Sequence, residues 1–370
     1  MSLRFLHTSD WQLGMTRHFL AEGAQERYSQ ARFDAIRALG RIAAEEHCHF
    51  VLVCGDAFES NQVDRKTVSR ALEALKDVPV PVYPLNAASV YRSSIFIERK
   101  PDHVHVIENA NPIQVSDGIQ VVGATWMSKR PAANPIGEAL NALPPADGFI
   151  RICAGHGAAD VLTPDSDAPG IIEVAAMECA INKGKVHFVA LGDRHSVTRV
   201  GTSERIWYSG TPESTDFAET NSGFALIVDV GDEQVAIKEV KVGQWRFTER
   251  TRVDLNTGDD VERLRQWLEK VENKERTVVR LHLVGSLSLS SHELLHSHLD
   301  AAEDVFGALE AREDDLVVMP DDSDFADLGF SGFAGQTTDR LRSKIAEGGD
   351  EAAAARDALT LLLRLARRTA

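Results

Sequence analysis

Three apolar runs in this chain end alike, and that ending limits the folds open to it. "HFVLVCGD" (49–56), "FIRICAGH" (149–156) and "VHFVALGD" (186–193) each close on a glycine followed by a residue able to bind a cation. A fourth run, "LRFLHTSD" (3–10), closes on Asp10. Short apolar runs bounded by turn residues read as buried strands. Between them lie helical signals. Ala31, Ala35, Leu39 and Ile42 recur at near-helical spacing, and "RKTVSRALEALKD" (65–77) is amphipathic. "PVPVYPL" (79–85) is a further short strand. This alternation predicts an α/β layered domain. Later strands at 119–125, 205–210, 223–230 and 234–242 have less helix between them. Two sheets packed together, with helices outside, follow from that crowding. Binding loops on such folds lie at the carboxyl ends of strands. Asp10, Asp56, His156 and Asp193 all fall there.

The 370 residues leave room for a large domain and a smaller one. The longest apolar runs, such as Val51–Cys54 and Thr360–Leu363, are far too short to span a membrane. No secretory signal pattern is visible, and the four cysteines (Cys48, Cys54, Cys153, Cys179) show no C-x-x-C spacing. Free thiols in a reducing, cytoplasmic setting are therefore expected. Net charge is −16, from 40 basic and 56 acidic residues. That argues against broad attraction to phosphate backbones, while a local groove or a metal pair remains able to bind phosphate.

The character changes near residue 255. "DDVERLRQWLEKV" (259–271) sets Val261, Leu264, Leu268 and Val271 on one helical face. A strand at 276–285, a helix at 290–309 and a strand at 314–320 complete a small α+β pattern. The expected division is 1–255, 256–320 and 321–370. The last part holds an acidic connector (321–327), a glycine-rich stretch (330–335) and a helix over 351–368. That helix carries a stripe of Ala355, Leu359, Leu362 and Ala366, which suits packing on its own domain and partner binding equally.

Taken in order, the strand ends read Asp-x-Gln, Gly-Asp, Gly-His-Gly and Gly-Asp-x-His. Any one of these arises by chance, and strand-end capping explains Asp10 or Asp56 alone. The ordered set is far less accidental, and its carboxylates, amide and imidazoles are all metal ligands. The chain here resembles the calcineurin-like metallophosphoesterases, specifically the SbcD type of DNA repair exonuclease. The resembling stretches are "LHTSDWQLG" (6–14), "VCGDAFES" (53–60), "VYRSSIF" (90–96), "AGHGAADVL" (154–162), "ALGDRHS" (190–196) and "YSGTPESTDF" (208–217). The resemblance implies a four-layer α-β-β-α sandwich with a capping domain and a helical tail. It implies two divalent metals, usually manganese, with magnesium as the alternative. Asp10 and Gln12 would hold the first metal with His195, Asp56 would bridge both, and His156 and Asp193 would hold the second. It also implies DNA as substrate and an SMC-like coiled-coil ATPase bound through the C-terminal helices, with a homodimer as a further option.

Three positions depart from the family pattern. Gln12 and Asp193 stand where histidine is usual, which makes the site richer in hard oxygen donors and suits manganese or magnesium over zinc. The Gly-Asn-His-Asp motif expected after "PVPVYPL" is missing from "PLNAASVYRSS" (84–94). Either Leu85–Ala88 takes its place, keeping Asn86 as a ligand with Ala87 in the catalytic histidine slot, or the loop is deleted. Loss of that acid would cost ~10²–10⁴-fold in rate. The alternative function is an inactive scaffold that regulates an ATPase partner. Elsewhere, "HELLH" (292–296) matches the H-E-x-x-H metal pattern. With no third ligand evident in the sequence, it reads as a solvated helix face.

Overall fold

The computed structural model describes residues 2–60, 62–86, 94–125, 134–164, 170–231, 234–319 and 332–367. The chain divides into two compact units, Met1–Arg246 and Phe247–Ala370.

The first unit is the expected four-layer α-β-β-α sandwich. One sheet holds β1 (Leu3–Thr8), β2 (Val51–Val53) and β3 (Val82–Pro84), extended beyond β1 by β10 (Phe224–Val230) and β11 (Val235–Lys241). β1, β2 and β3 run parallel, while β10 and β11 join antiparallel. The other sheet runs β4 (Ile113–Ser116), β5 (Ile119–Gly123), β6 (Ile150–His156), β7 (Phe188–Gly192), β9 (Ile206–Tyr208), β8 (Thr198–Val200). Its centre, from β5 to β9, is parallel.

The period of two along each strand builds the layers. Leu3 and Phe5, Leu52 and Cys54, and Leu226 and Val228 face inward from the first sheet. Ile150, Ile152, Phe188 and Ala190 meet them from the second. The opposite faces are covered by helices. α1 (Glu22–Glu45) and α2 (Arg65–Lys76) bury Ile36, Leu39, Val68 and Leu72 against Leu6, Val51 and Val53. α3 (Ser94–Arg99) adds Phe96 to that layer. α4 (Pro135–Ala142) and α5 (Val174–Asn182) cover Val189 and Leu191 on the far side. Strands buried on both faces must be apolar nearly throughout, which is why their sequences read as continuous runs.

The second unit holds a three-stranded sheet of β12 (Arg246–Leu255), β13 (Thr277–Leu287) and β14 (Ala308–Val318), in that order. α6 (Gly258–Lys270) begins with a capping box, Thr257 with Asp260, and buries Val261, Leu264 and Leu268. α7 (Leu289–Glu303) buries Leu295 and Leu299 in the same core. Two expected boundaries move here. α7 stops at Glu303, not 309, and β14 starts at Ala308, not 314. Glu303 and Asp304 oppose the helix dipole at this end, and Gly307 turns the chain by donating to the Lys274 and Thr277 carbonyls.

A helix the sequence reading did not expect, α8 (Gly332–Glu347), takes up part of the glycine-rich stretch. The acidic connector at 321–327 lies outside the described residues. α9 (Asp350–Arg367) follows, with Ala355 and Leu359 of its stripe buried and Leu361 exposed. Cys48, Cys54 and Cys153 are buried free thiols, and Cys179 is exposed. Among the described residues no helix is long and apolar enough to cross a membrane.

Candidate metal centre

The parallel pairing of β1 with β2 runs from Leu6 opposite Val51 to Thr8 opposite Val53. Asp10 and Asp56 therefore leave the same sheet edge side by side. Their loops stay zipped beyond the strands. The Asp10, Gln12 and Leu13 amides donate to the Gly55, Asp56 and Ala57 carbonyls at 3.1, 3.0 and 3.0 Å. In the other sheet His156 pairs with Gly192, which sets Asp193 next to it. The two edges then meet. The Asp193 amide donates to both Asp10 carboxylate oxygens, at 3.2 and 3.0 Å. His156 Nδ1 donates to the Cys54 carbonyl at 2.9 Å.

That last bond fixes the tautomer. With its proton on Nδ1, His156 presents Nε2 as the acceptor nitrogen, as metal-binding imidazoles do. Nε2 lies 3.7 Å from Asp56 Oδ2 and 3.8 Å from Asp193 Oδ1. Asp10, Asp56 and His156 each offer one ligand atom, and these atoms all lie within 4.8 Å of one another.

The backbone is strained at the same places. Asp10, Gln12, Asp56 and Asp193 hold φ of 52°, 49°, 42° and 96°, in the left-handed region that non-glycine residues avoid. Each such residue costs ~1–3 kcal/mol and persists where its surroundings over-determine it. Gly192 is required for another reason. A Cβ there would sit 1.9 Å from the Cys54 carbonyl oxygen and 2.8 Å from Ser9 Cβ.

Charge is concentrated here, with Asp10 and His156 buried and Asp56 and Asp193 partly exposed. Asp10 is fully buried, and burial pushes its carboxyl up to about 6, against the pull of His156 and His195. Burial works to lower His156, yet the Asp10, Asp56 and Asp193 carboxylates raise it on balance. A buried carboxylate held against a second acid and an imidazole is a setting that a divalent cation relieves. The donor set of carboxylate oxygens and one imidazole nitrogen fits manganese or magnesium.

The remaining candidates take distinct places. Gln12 is buried, and its Nε2 donates to Asp56 Oδ2 at 3.4 Å. Rotation of the amide exchanges its oxygen and nitrogen, so Oε1 can reach the same position. His195 Nδ1 contacts Glu219 Oε1 at 2.9 Å and Thr215 Oγ1 at 2.8 Å. Burial lowers His195, but its bond to Glu219 and the nearby Asp10 carry it up to about 8. Asn86 follows β3 on the same sheet edge as Asp56, its amide bonded to the Ile107 carbonyl at 3.0 Å. Ala87 lies outside the described residues.

Three supporting residues escape a reading of the motifs. Ser9 donates to Asp10 Oδ2 at 2.6 Å. Arg32, buried on α1, donates to the Trp11 carbonyl at 3.0 Å and so ties the loop of Asp10 and Gln12 to the helix layer. Glu219 orients His195. Burial pushes its carboxyl up, but bonds from His195 and Thr215 hold it below the usual value. Ser9 adjoins a motif residue and was within reach of the sequence. Arg32 and Glu219 are not, because their partners are 21 and 24 positions away. Asp193, His195, Tyr208 and Glu219 also border an open cleft beside the centre.

No protein-family model matches the chain, and no curated protein matches it by sequence. Solved structures do show likeness in shape. TT1561 of Thermus thermophilus aligns with 65% of this chain and 100% of its own, at 8% identity and a TM-score of 0.43. A dimetal phosphatase from Danio rerio aligns with 65% and 99%, at 11% identity and a TM-score of 0.41. Vacuolar Protein Sorting 29 from Cryptosporidium parvum aligns with 65% and 98%, at 13% identity and a TM-score of 0.29. These likenesses concern overall shape and leave the chemistry to the residues themselves.

Proposed function

We propose that Met1–Arg246 is a divalent-metal-dependent phosphoesterase, and that its substrate is DNA, cut from ends in the manner of SbcD-type exonucleases. The observation that carries this reading is the convergence of Asp10, Asp56 and His156 from three strand ends, with His156 Nε2 turned toward the acids. Asp10, Gln12 and His195 would hold one cation, His156 and Asp193 the other, and Asp56 would be shared. Such a pair supplies Lewis-acid charge at a phosphodiester and activates water for in-line attack. The chain's own work is to pre-set the donors. Cys54 fixes the His156 tautomer, Glu219 fixes His195, and Ser9 and the Asp193 amide fix Asp10. The C-terminal helices are the proposed seat of an SMC-like ATPase.

A second reading has one observation in its favour. The segment 84–94 contains no histidine, so the leaving-group acid of the family has no counterpart there. The fold would then serve as a metal-holding scaffold for the ATPase.

Hydrolysis of linear duplex DNA and of bis(4-nitrophenyl) phosphate with manganese separates the two. The enzyme reading expects slow, metal-dependent turnover that Asp56→Asn abolishes. Replacing Leu85–Ala88 by Gly-Asn-His-Asp should recover much of the ~10²–10⁴-fold that a missing acid costs. Manganese binding and ATPase binding without hydrolysis, before and after that replacement, would leave the scaffold. Failure to bind any divalent ion would defeat both.

A further inference from the structure

The H-E-x-x-H match in the second unit lies on a partly solvated helix face that also meets a carboxylate from another element. His292 and His296, one turn apart on α7, point their Nε2 atoms at each other across 3.2 Å. Glu313 Oε2 lies 3.3 Å from His292 Nε2 and 3.3 Å from His296 Nε2. The third ligand absent from the local sequence thus comes from β14, 17 residues beyond His296 and on a different element.

We propose that His292, His296 and Glu313 form a transition-metal site, of the kind zinc takes, independent of the phosphoesterase centre. The distances carry the proposal. A tetrahedral ion with ligands at ~2.0–2.1 Å has edges of about 3.3 Å between its ligand atoms. All three edges of the triangle fall at that value, 3.2, 3.3 and 3.3 Å. Hydrogen bonding alone would have both Nε2–H groups donate to Glu313 Oε2 and would give no reason for the two imidazole nitrogens to approach within 3.2 Å.

The fold supplies the aim. Leu309, Ala311 and Glu313 alternate on one face of β14, and the first two belong to the core that α7 covers. The parallel register with β13 then slips, since His282 pairs with Arg312 but Val284 with Asp315. A bulge of this kind re-aims the side chain beside it. It leaves Glu313 facing α7 just where the core gives way to solvent. The side chains of His292, Glu313 and His296 are 12, 29 and 45% exposed, so the site is anchored on one side and open on the other. The donors also differ in kind from the first centre. Two imidazoles and one carboxylate suit zinc, nickel or copper, where an oxygen-rich set suits manganese or magnesium. With three protein ligands, the fourth position faces water or a ligand from outside. Bound metal would clasp α7 to β14.

The test uses the full chain carrying Asp56→Asn, which weakens the first centre, titrated with zinc and with cobalt. One equivalent should bind to the second unit, with cobalt giving the visible absorption of tetrahedral coordination. His296→Ala, at the most exposed ligand, should weaken zinc by more than the ~10–100-fold typical of losing an outer partner. Glu313→Gln should weaken it in the same direction. Zinc should also raise the melting temperature of the parent and not of His296→Ala. His292→Ala serves as a second variant if it folds by circular dichroism. Zinc stoichiometry, affinity and melting shift unchanged by His296→Ala and Glu313→Gln would overturn the site.

Discussion

The two clusters of candidate metal ligands are built in opposite ways. In the first unit the donors stand on loops that leave two sheets, and four of them occupy left-handed backbone. In the second unit they stand on regular structure, two histidines one helical turn apart and a glutamate beside a strand bulge. The first centre stores strain and buries charge, with Asp10 wholly enclosed. The second sits at a half-exposed rim and needs no unusual φ among its three donors. A buried, strained centre depends on everything packed around it. A rim site on regular elements depends mainly on its own side chains.

The largest effect expected from that difference is at Gly192. A single methyl there would press into the Cys54 carbonyl and Ser9, both backbone-held neighbours of the metal loops. Gly192→Ala should destabilise the protein by ~3 kcal/mol, at the severe end of overpacking changes, and should abolish manganese binding. Chemical denaturation and calorimetry would measure both. A variant with parental stability and affinity would show that the strand ends do not meet as closely as described.

Glu219→Gln probes the same dependence without adding bulk. The amide keeps the shape but loses the charge that holds His195 above its ordinary value. Manganese affinity should fall ~10-fold, the lower range for loss of an outer carboxylate partner. Glu219 contacts His195 and Thr215 in the first unit, so zinc binding at His292, His296 and Glu313 should not change. A parallel loss of both metals would erase the contrast.

What the sequence disclosed follows the same line. The first cluster was legible because Asp10, Asp56, His156 and Asp193 each close an apolar run, so a local pattern marks a cluster assembled by the two sheets. Asp10, Asp56 and His156 needed only the rule that ligands gather at strand ends. Arg32 and Glu219 were hidden because their roles exist only once α1 and the loop after β9 fold back. The second centre was half legible. "HELLH" names two donors at helical spacing, but Glu313 lies in "AREDD", where charge disguises a strand. Glu310 and Arg280 show the reason, since they pair across β14 and β13 at 2.7 Å and let charged residues occupy a sheet. α8 was missed for a related cause. Its first turn contains glycines, which read as connector in the sequence, although the helix runs on to Glu347.

Acid probes the buried interior of the first unit through His7. His7, fully enclosed in β1, donates from Nε2 to the Leu191 carbonyl at 3.1 Å, and burial drives its pKa down to about 3. The unfolded chain takes up that proton near 6.5, so it binds more protons than the folded one below that pH. Stability is therefore full above 6.5 and falls as pH drops toward 3, by about 2 kcal/mol at pH 5. His7→Leu should flatten this part of the curve in urea titrations from pH 7 to 5. An unchanged slope would assign the acid sensitivity elsewhere.

The smallest effect tests how far the second cluster rests on its helix. Ser288 caps α7 by accepting the Ser291 amide at 3.2 Å, one residue before His292. Ser288→Ala should cost ~1 kcal/mol, the usual loss for such a cap. If metal clasps α7 to β14, the helix start is held from two sides. Zinc must then re-form a frayed helix start, so the variant's zinc affinity should fall, by less than ~10-fold, and it should lose correspondingly more stability with zinc bound than without it. Equal losses in zinc and in chelator would mean that the ion does not bear on the first turns of α7, and the histidine pair would be acting without the helix that presents it.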